Sequence, residues 1–185
     1  MPLSTIDPTP ALIVVDLQKG VTARAEMKPI LDNSVALAAA FRERGFPVAL
    51  VTVEGGAPGR TDAHQSAGGQ SSRQRPADWA ELSPELEHES ADIRIAKRRW
   101  GAFTGTDLDA ILRERGVTQV IVTGVATSIG VESTARTAHE LGYHVVIATD
   151  AVADVTPEAH ANSIDRIFPR MSETATTAEI LTALT

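Results

Sequence analysis

Residues 118–151 constrain the fold more than any other stretch of the chain. They begin with a β-branched run, residues 120–122, whose lack of polar alternation is typical of a strand covered on both faces of a parallel sheet. Gly124 ends this predicted strand, an amphipathic helix follows, and residues 144–148 form the next apolar strand. A strand–turn–helix junction directs unpaired backbone N–H groups toward one point beyond the sheet edge. The turn at residues 127–130 is therefore where we expect a nucleophile or a bound oxyanion, and it contains no thiol.

Apolar runs and amphipathic stretches alternate along the rest of the chain as well. The runs predict short strands at residues 11–15, 47–53 and 92–96, and a last short strand at residues 168–171. The amphipathic stretches predict helices at residues 31–44, 105–116 and 157–166, with Thr106 and Thr156 as N-caps. Thr176 and Glu179 form a capping-box pattern for a terminal helix. This alternation predicts a single α/β domain over residues 1–185, with a doubly wound, mostly parallel sheet of about six strands.

The helix after the turn carries small apolar residues on one face. Val131, Ala135, Ala138 and Leu141 recur at helical spacing and are predicted to be core. Small side chains of this kind also permit another helix to approach closely.

The composition limits the kinds of partner that the chain can have. Its formal net charge of −7 does not favour binding to nucleic acid or to an anionic membrane. No apolar run approaches the length of a transmembrane helix, and the N-terminal residues lack the pattern of a signal peptide, so we expect a cytoplasmic protein. The chain has no cysteine, which excludes disulfides, thiolate metal ligands and a cysteine nucleophile.

Two charged residues stand at the ends of predicted strands. Asp16 follows the first strand, and Lys97 follows the third. Since open α/β sheets bind ligands at the carboxyl ends of their strands, both are candidate site residues. The alternative for Asp16 is a cap of the next turn, and the alternative for Lys97 is a solvated corner.

Residues 55–84 show no periodicity, and glycine, serine, proline and glutamine dominate them. Arg60, Arg73, Arg75 and His64 are scattered along this stretch. A segment of this length inside a compact domain is either a lid or binding loop or a solvated excursion, and the sequence leaves both open. His64 has no second histidine or carboxylate at ligand spacing, so we predict no zinc site.

Three stretches together resemble the isochorismatase-like hydrolase superfamily, often called cysteine hydrolases. They are ALIVVDLQ, which contains Asp16, IAKRRWGAFTGTDLDAILRERG, which contains Lys97, and VIVTGVATSIGVESTARTAHELGYHVVIATDAVAD. The third is the most specific, because its turn, its helix and the following TDA match the family in order and spacing. The resemblance implies a three-layer, doubly wound (Rossmann-like) fold with a mostly parallel six-stranded sheet.

The resemblance also implies roles for individual residues. Family members typically use an aspartate, a lysine and a cysteine, and these positions fall on Asp16, Lys97 and Gly130 of this sequence. The family has a non-proline cis peptide at the turn, which would lie between Val125 and Ala126. The backbone N–H groups of Ala126 and Gly130 would then face one oxyanion position. The metal-binding aspartate–histidine set of nicotinamidases is missing after the second strand, so we expect no metal and no other cofactor.

Glycine at position 130 changes the chemistry that the resemblance implies. Amidases of the family attack with a thiolate, which Gly130 cannot supply, and Ser128 and Ser133 flank the position without occupying it. The isochorismatases resemble this sequence in placing glycine there, and they hydrolyse a vinyl ether, which needs a proton donor and water but no protein nucleophile. We therefore predict a hydrolase of a small vinyl ether of the isochorismate type, with Asp16 as the general acid. Two alternatives remain open: a hydrolase of another small substrate that uses water activated by Asp16, or a catalytically silent binding protein of the same fold.

An acid must be protonated, and a neighbouring Lys97 lowers the pKa of Asp16. Burial and the substrate's own carboxylates would have to offset Lys97, so the sequence predicts the acid form only for the complex with substrate.

The remaining predictions concern substrate contacts and assembly. Gln18, Glu54, Trp100 and Phe103 are candidate substrate-binding residues, with Arg99 and the loop arginines as partners for substrate carboxylates. Trp100 and Phe103 fit core packing or a subunit interface equally well. Because family members are commonly oligomeric, we expect a homo-oligomer, either a dimer or a tetramer.

Overall fold

The computed structural model describes residues 2–55, 59, 61–62, 76–86 and 89–185. Its described residues form one six-stranded sheet in the order β3-β2-β1-β4-β5-β6. Every pair of neighbouring strands in this sheet is parallel, which confirms the predicted doubly wound α/β fold. The strands are β1 (Pro10–Val15), β2 (Val48–Val53), β3 (Ile93–Lys97), β4 (Gln119–Val125), β5 (His144–Ala153) and β6 (Glu173–Ala175).

Helices cover both faces of the sheet. They are α1 (Lys19–Thr22), α2 (Lys28–Glu43), α3 (Leu108–Glu114), α4 (Glu132–Glu140), α5 (Pro157–Asn162) and α6 (Thr177–Ala183). In the part of the chain that the structure describes, no helix is both long enough and apolar enough to cross a membrane.

The strands are apolar throughout because both of their faces are buried. In β1, Ala11, Ile13 and Val15 pack on the side of α3 and α4, whereas Leu12 and Val14 pack on the side of α2 and α6. The result is the three-layer arrangement that the alternation of strands and helices predicts.

The end of the chain differs from the prediction in two places. The prediction of a strand at residues 168–171 is wrong, because Phe168–Arg170 form a 3₁₀ helix. The sixth strand lies slightly later, at Glu173–Ala175. Pro169 provides no N–H for a strand ladder and fits the first turn of a helix, which accounts for the shift. Leu141, predicted to be core, follows the last turn of α4 and is 37% exposed.

The predicted helix caps are confirmed in part, and Thr106 is not the N-cap of α3, because Asp107 holds that position. Thr176 and Glu179 form a complete capping box at the start of α6. Pro157 opens α5 as predicted, with Thr156 at the N-cap position, although the Thr156 side chain makes no capping bond. The α-helix ends at Asn162 and continues as a π-helical turn through Ile167.

Residues 76–84, the described end of the aperiodic stretch, pack against the residues that follow β1. The N–H groups of Lys19 and Gly20 donate to the carbonyl oxygens of Glu81 and Trp79, at 2.8 and 3.1 Å. In the other direction, the Ser83 N–H donates to the Leu17 carbonyl at 3.1 Å. The indole ring of Trp79 lies so close to Gly20 that a Cβ there would come within 1.8 Å of it. Only glycine is therefore compatible with this contact. Arg60, His64, Arg73 and Arg75 lie outside the described residues, and the predicted lid or loop stays a prediction.

A buried ion pair links α2 to the segment before β3. The Asp92 carboxylate accepts hydrogen bonds from Arg42 Nε at 3.2 Å, Arg42 Nη2 at 2.9 Å and the Glu89 N–H at 2.7 Å. The side chains of Asp92 and Arg42 are only 2% and 14% exposed. Removing one partner of such a pair leaves a poorly solvated charge unpaired.

We expect Asp92→Ala to lower the free energy of unfolding by about 2–3 kcal/mol, because the Arg42 guanidinium loses its charged partner and keeps only the Leu86 carbonyl among its described hydrogen-bond acceptors. Urea denaturation monitored by circular dichroism measures this loss. The matched control is Asp32→Ala, which removes an aspartate that pairs with Lys28 on the surface, at 55% and 74% exposure. This control should cost at most about 0.5 kcal/mol, and equal losses for the two variants would contradict the assignment.

Candidate functional site

A pocket of about 530 Å³ opens at the carboxyl ends of β1, β4 and β5. The strand order changes direction between β1 and β4, and this is the position at which open α/β sheets bind ligands. Four charged residues line the pocket, namely Asp16, Arg24, Glu26 and Asp154. The rest of its described lining is mainly apolar and consists of Gly20, Val21, Met27, Val53, Val125, Ala126, Ala153 and Val155.

Asp16 follows β1 directly and has an unusual backbone conformation. Its φ angle is 56°, in the left-handed region that residues other than glycine rarely adopt, although aspartate tolerates it better than most. The Asp16 N–H donates to the Val51 carbonyl at 2.9 Å, which holds the residue at the end of the sheet. Strained residues of this kind cluster at functional sites, where the surrounding structure enforces them.

The structure brings the two predicted strand-end charges together. Lys97 Nζ lies 2.7 Å from Asp16 Oδ2, and the two side chains are only 2% and 10% exposed. Lys97 also donates to the Arg99 carbonyl at 3.3 Å. The other carboxylate oxygen, Asp16 Oδ1, is buried and has no hydrogen-bond partner among the described residues. One oxygen of Asp16 is thus fixed by Lys97, while the other is buried and forms no hydrogen bond with the described residues.

Burial has the largest effect on the ionisation of Asp16. Burial raises the pKa of this carboxyl group. The charge of Lys97 and its hydrogen bond to Asp16 lower the pKa, and the result is a value of about 6. Burial therefore outweighs the effect of Lys97 on this pKa in the protein without substrate. Both the protonated and the ionised forms of Asp16 are accessible near neutral pH.

Gly130 lies directly beside Asp16, as the resemblance implies. A Cβ on Gly130 would lie 3.4 Å from Asp16 Oδ2 and only 2.9 Å from the carbonyl oxygen of Val125. The peptide bond between Val125 and Ala126 is cis, also as the resemblance implies. Ala126 lines the pocket, and the oxyanion role of the Ala126 and Gly130 N–H groups stays a prediction.

The hydroxyl groups of the turn have other partners. Ser128 Oγ and the Ser128 N–H donate to Asp154 Oδ2 at 2.7 and 2.8 Å. Thr127 Oγ1 lies 2.9 Å from His160 Nδ1. The Ser128 hydroxyl is therefore directed at Asp154, and this geometry does not make it a nucleophile activated by Asp16.

Asp154 differs from Asp16 in its ionisation. Partial burial raises its pKa, but the hydrogen bonds from Ser128 and from the Thr156 N–H outweigh burial and hold the pKa below its usual value. The pocket thus contains two carboxyl groups whose surroundings shift their pKa values in opposite directions. Such a difference allows one group to act as an acid while the other stays ionised.

The four predicted substrate contacts do not belong to the described lining of this pocket. The Gln18 side chain is buried and bonds the backbone of Val53 and Trp79, at distances of 2.9 to 3.3 Å. Phe103 is 7% exposed and stacks on Tyr143 with 5.9 Å between the ring centres. Trp100 is 54% exposed, and Glu54 is an exposed residue that follows β2. Their role in substrate binding stays a prediction.

Sequence reasoning missed Arg24, Glu26 and Asp154. Asp154 follows β5, so the rule that selected Asp16 at a strand end could have found it. Arg24 and Glu26 lie between and within short helical turns that carry no periodic signal. The described residues contain no cluster of three or more histidine, cysteine, aspartate or glutamate side chains that could hold a metal ion.

We expect Lys97→Met to raise the pKa of Asp16 above 6, because the substitution removes the cation that lowers it and leaves the carboxyl buried. Titration of the aspartate carboxyl carbons by ¹³C NMR measures this pKa. Lys19→Met is the matched control, since Lys19 is an exposed lysine that pairs with Glu81, and it should leave the Asp16 titration unchanged. An Asp16 pKa that falls, or that does not move in Lys97→Met, would show that Lys97 does not act on Asp16 as described.

We expect Gly130→Ala to lower the free energy of unfolding by about 1 kcal/mol or more, since the new Cβ meets a backbone oxygen that cannot easily move. Thermal and urea denaturation measure the change. Gly55→Ala is the control, because a Cβ there would be in ordinary contact, 3.5 Å from Arg98 Cγ. A Gly130→Ala variant as stable as this control would mean that the turn has more room than the structure shows.

Comparisons with known proteins agree with this fold. The isochorismatase domain model matches residues 10–179. An uncharacterized isochorismatase family protein, YwoC of Bacillus subtilis (strain 168), is 40% identical over 174 residues, which cover 92% of this chain and 92% of YwoC. The ureidoacrylate amidohydrolase RutB of Klebsiella pneumoniae is 32% identical over 175 residues, which cover 80% of this chain and 74% of RutB. An isochorismatase family protein from Burkholderia thailandensis has a solved structure with a TM-score of 0.88, at 37% identity and 97% coverage of both chains. The chain belongs to the isochorismatase family of hydrolases.

Proposed function

We propose that this protein hydrolyses a small vinyl ether of the isochorismate type, with Asp16 as the general acid. The observation that carries the proposal is a buried carboxyl group with a raised pKa, of about 6, at the edge of a pocket and beside a glycine rather than a nucleophile. Vinyl ether hydrolysis needs a proton donor and water, and it needs no covalent intermediate with the protein.

The chemistry matches the groups that surround Asp16. The protonated carboxyl donates its proton to the terminal CH₂ carbon of the enol ether, which becomes a methyl group, and leaves an oxocarbenium ion. Water then adds to the positively charged carbon and gives one proton back to the Asp16 carboxylate, which yields a hemiketal. The bond between the hemiketal carbon and the ether oxygen then breaks. The hemiketal hydroxyl gives up its proton to form the carbonyl of pyruvate, and the ether oxygen takes up one proton and leaves with the ring as an alcohol.

Three neighbours support this role of Asp16. Lys97 holds Oδ2 at 2.7 Å, which orients the carboxyl, while Oδ1 is buried and has no hydrogen-bond partner among the described residues. Lys97 also stabilises the carboxylate that remains after proton transfer. Gly130 leaves the space beside Oδ2 without a side chain, and Asp154 places a second, ionised carboxylate in the pocket.

The test is the release of pyruvate from isochorismate, followed through a coupled lactate dehydrogenase. We expect Asp16→Asn to reduce kcat/KM by about a hundredfold to ten-thousandfold, as is typical for the loss of a general acid. Asp32→Asn, which changes a surface aspartate, should retain the rate. Isochorismate turnover that survives in Asp16→Asn would exclude the acid role, and no turnover by the wild-type protein would exclude this substrate.

The pH dependence of kcat/KM identifies the role of Asp16 independently of the substitution. A general acid is active only in its protonated form. If Asp16 is the acid, kcat/KM is therefore highest below the pKa of Asp16 and falls by about tenfold for each pH unit above that pKa. With a pKa of about 6 in the free protein, this fall should begin near pH 6.

A second function is favoured by the same pKa. At pH 7 a carboxyl group with a pKa of about 6 is about nine-tenths ionised, which suits a general base that activates water. Relatives named ureidoacrylate amidohydrolase are 32% identical to this chain. The second candidate is therefore hydrolysis of a small amide such as ureidoacrylate by water that Asp16 activates, without an acyl-enzyme.

The two candidates predict opposite pH profiles. For the base, kcat/KM rises through a pKa of about 6 and then levels, because the ionised carboxylate is the active form. Assays of isochorismate and ureidoacrylate between pH 4.5 and 8.5, each with the Asp16→Asn control, decide between them.

A further inference from the structure

Arg24 stands apart from the other charged residues of the pocket. Asp16 pairs with Lys97 at 2.7 Å, and Asp154 accepts hydrogen bonds from Ser128 and Thr156. Among the described residues that line the pocket, Arg24 is the one cation, and its guanidinium has no hydrogen bond or ion pair with any described residue. The site thus contains a positive group whose charge is not yet neutralised.

Hydrogen bonds hold the backbone on both sides of Arg24, and the residue itself is exposed. The N–H groups of Val21 and Thr22 donate to the Gln18 carbonyl at 2.8 and 2.9 Å, and Thr22 Oγ1 lies 2.5 Å from Ser83 Oγ. On the other side, the Met27 N–H donates to the Arg24 carbonyl at 3.0 Å. Arg24 therefore extends from an anchored segment between α1 and the 3₁₀ helix Ala25–Met27.

The remainder of the pocket limits what can bind at Arg24. Its wall is apolar at Val21, Met27, Val53, Val125 and Val155, which suits a hydrocarbon ring or chain. Of the three carboxyl groups in the lining, Asp16 is paired with Lys97, whereas Glu26 and Asp154 repel an anion that lies near them. An anionic group is favoured only where it meets Arg24, whose planar guanidinium fits a carboxylate through two parallel hydrogen bonds.

We propose that Arg24 is the specificity-determining residue of this pocket, and that it selects substrates with an apolar body and a carboxylate. The inference deepens the proposed function and rests on the same pocket, but it concerns binding and applies to either reaction. The carboxylate end of the substrate lies on Arg24, and the apolar body packs against the valines. The reacting bond is then presented to Asp16.

The test uses binding of two probes of nearly equal shape, benzoate and benzamide, to the full-length protein. Chemical-shift titration in ¹H–¹⁵N NMR spectra, at constant ionic strength, gives Kd and the residues affected. We expect benzoate to bind more tightly than benzamide and to shift signals of Val21, Met27 and Val53. Arg24→Gln should raise the Kd of benzoate by about tenfold and leave that of benzamide unchanged.

Two further variants give the test its controls. Arg24→Lys keeps the charge but loses the planar fork, so it should recover part of the affinity for benzoate. Glu26→Gln removes the neighbouring carboxylate and should bind benzoate at least as well as the wild type. Thermal denaturation of each variant confirms that the fold is intact.

Three results would overturn the inference. The first is equal affinity of the wild type for benzoate and benzamide. The second is a benzoate Kd that Arg24→Gln does not change. The third is preferential binding of benzamidine that Glu26→Gln abolishes, since this would assign the pocket to cations. Because none of these measurements needs turnover, they are independent of the assays on isochorismate and ureidoacrylate.

Discussion

The buried pair of Lys97 and Asp16 is the interaction on which the site depends. Two opposite charges, 2.7 Å apart and almost inaccessible to water, lose most of their hydration, and their mutual attraction is the main interaction that offsets this cost. The sheet sets the geometry, because β1 pairs with β2 and β2 with β3, with Val53 opposite Lys97 in the β2–β3 ladder. Loss of either charge would leave the other buried and unpaired, so the pair constrains both residues together.

Burial also explains why two aspartates in one pocket behave differently. Asp16 has one oxygen on Lys97 and one without a partner among the described residues, so the cost of desolvation prevails. Asp154 lies between β5 and α5, where N–H groups and a serine hydroxyl stabilise its negative charge. The sequence alone does not distinguish them, since the donors of Asp154 come from residues up to 26 positions away.

The sequence predicted the strands, the sheet class and the pair of site charges, because periodicity and strand ends are local signals. It did not predict the short sixth strand, whose three residues acquire their conformation by pairing with β5. It left open whether Phe103 is a pocket wall or a packing residue, and the structure stacks it on Tyr143 in the core. The left-handed backbone of Asp16 and the position of Arg24 depend on tertiary contacts that no local pattern encodes.

Glycine at position 130, in a chain without cysteine, has a consequence for the chemical sensitivity of the site. Peroxide and alkylating reagents inactivate thiol-dependent enzymes by modifying the thiolate, and here Asp16, Lys97 and Gly130 offer them no sulfur. The oxidisable atom in the described lining is the thioether of Met27, whose sulfoxide would make the apolar wall polar. Oxidative stress would therefore alter which molecules fit the pocket before it altered the groups beside Asp16.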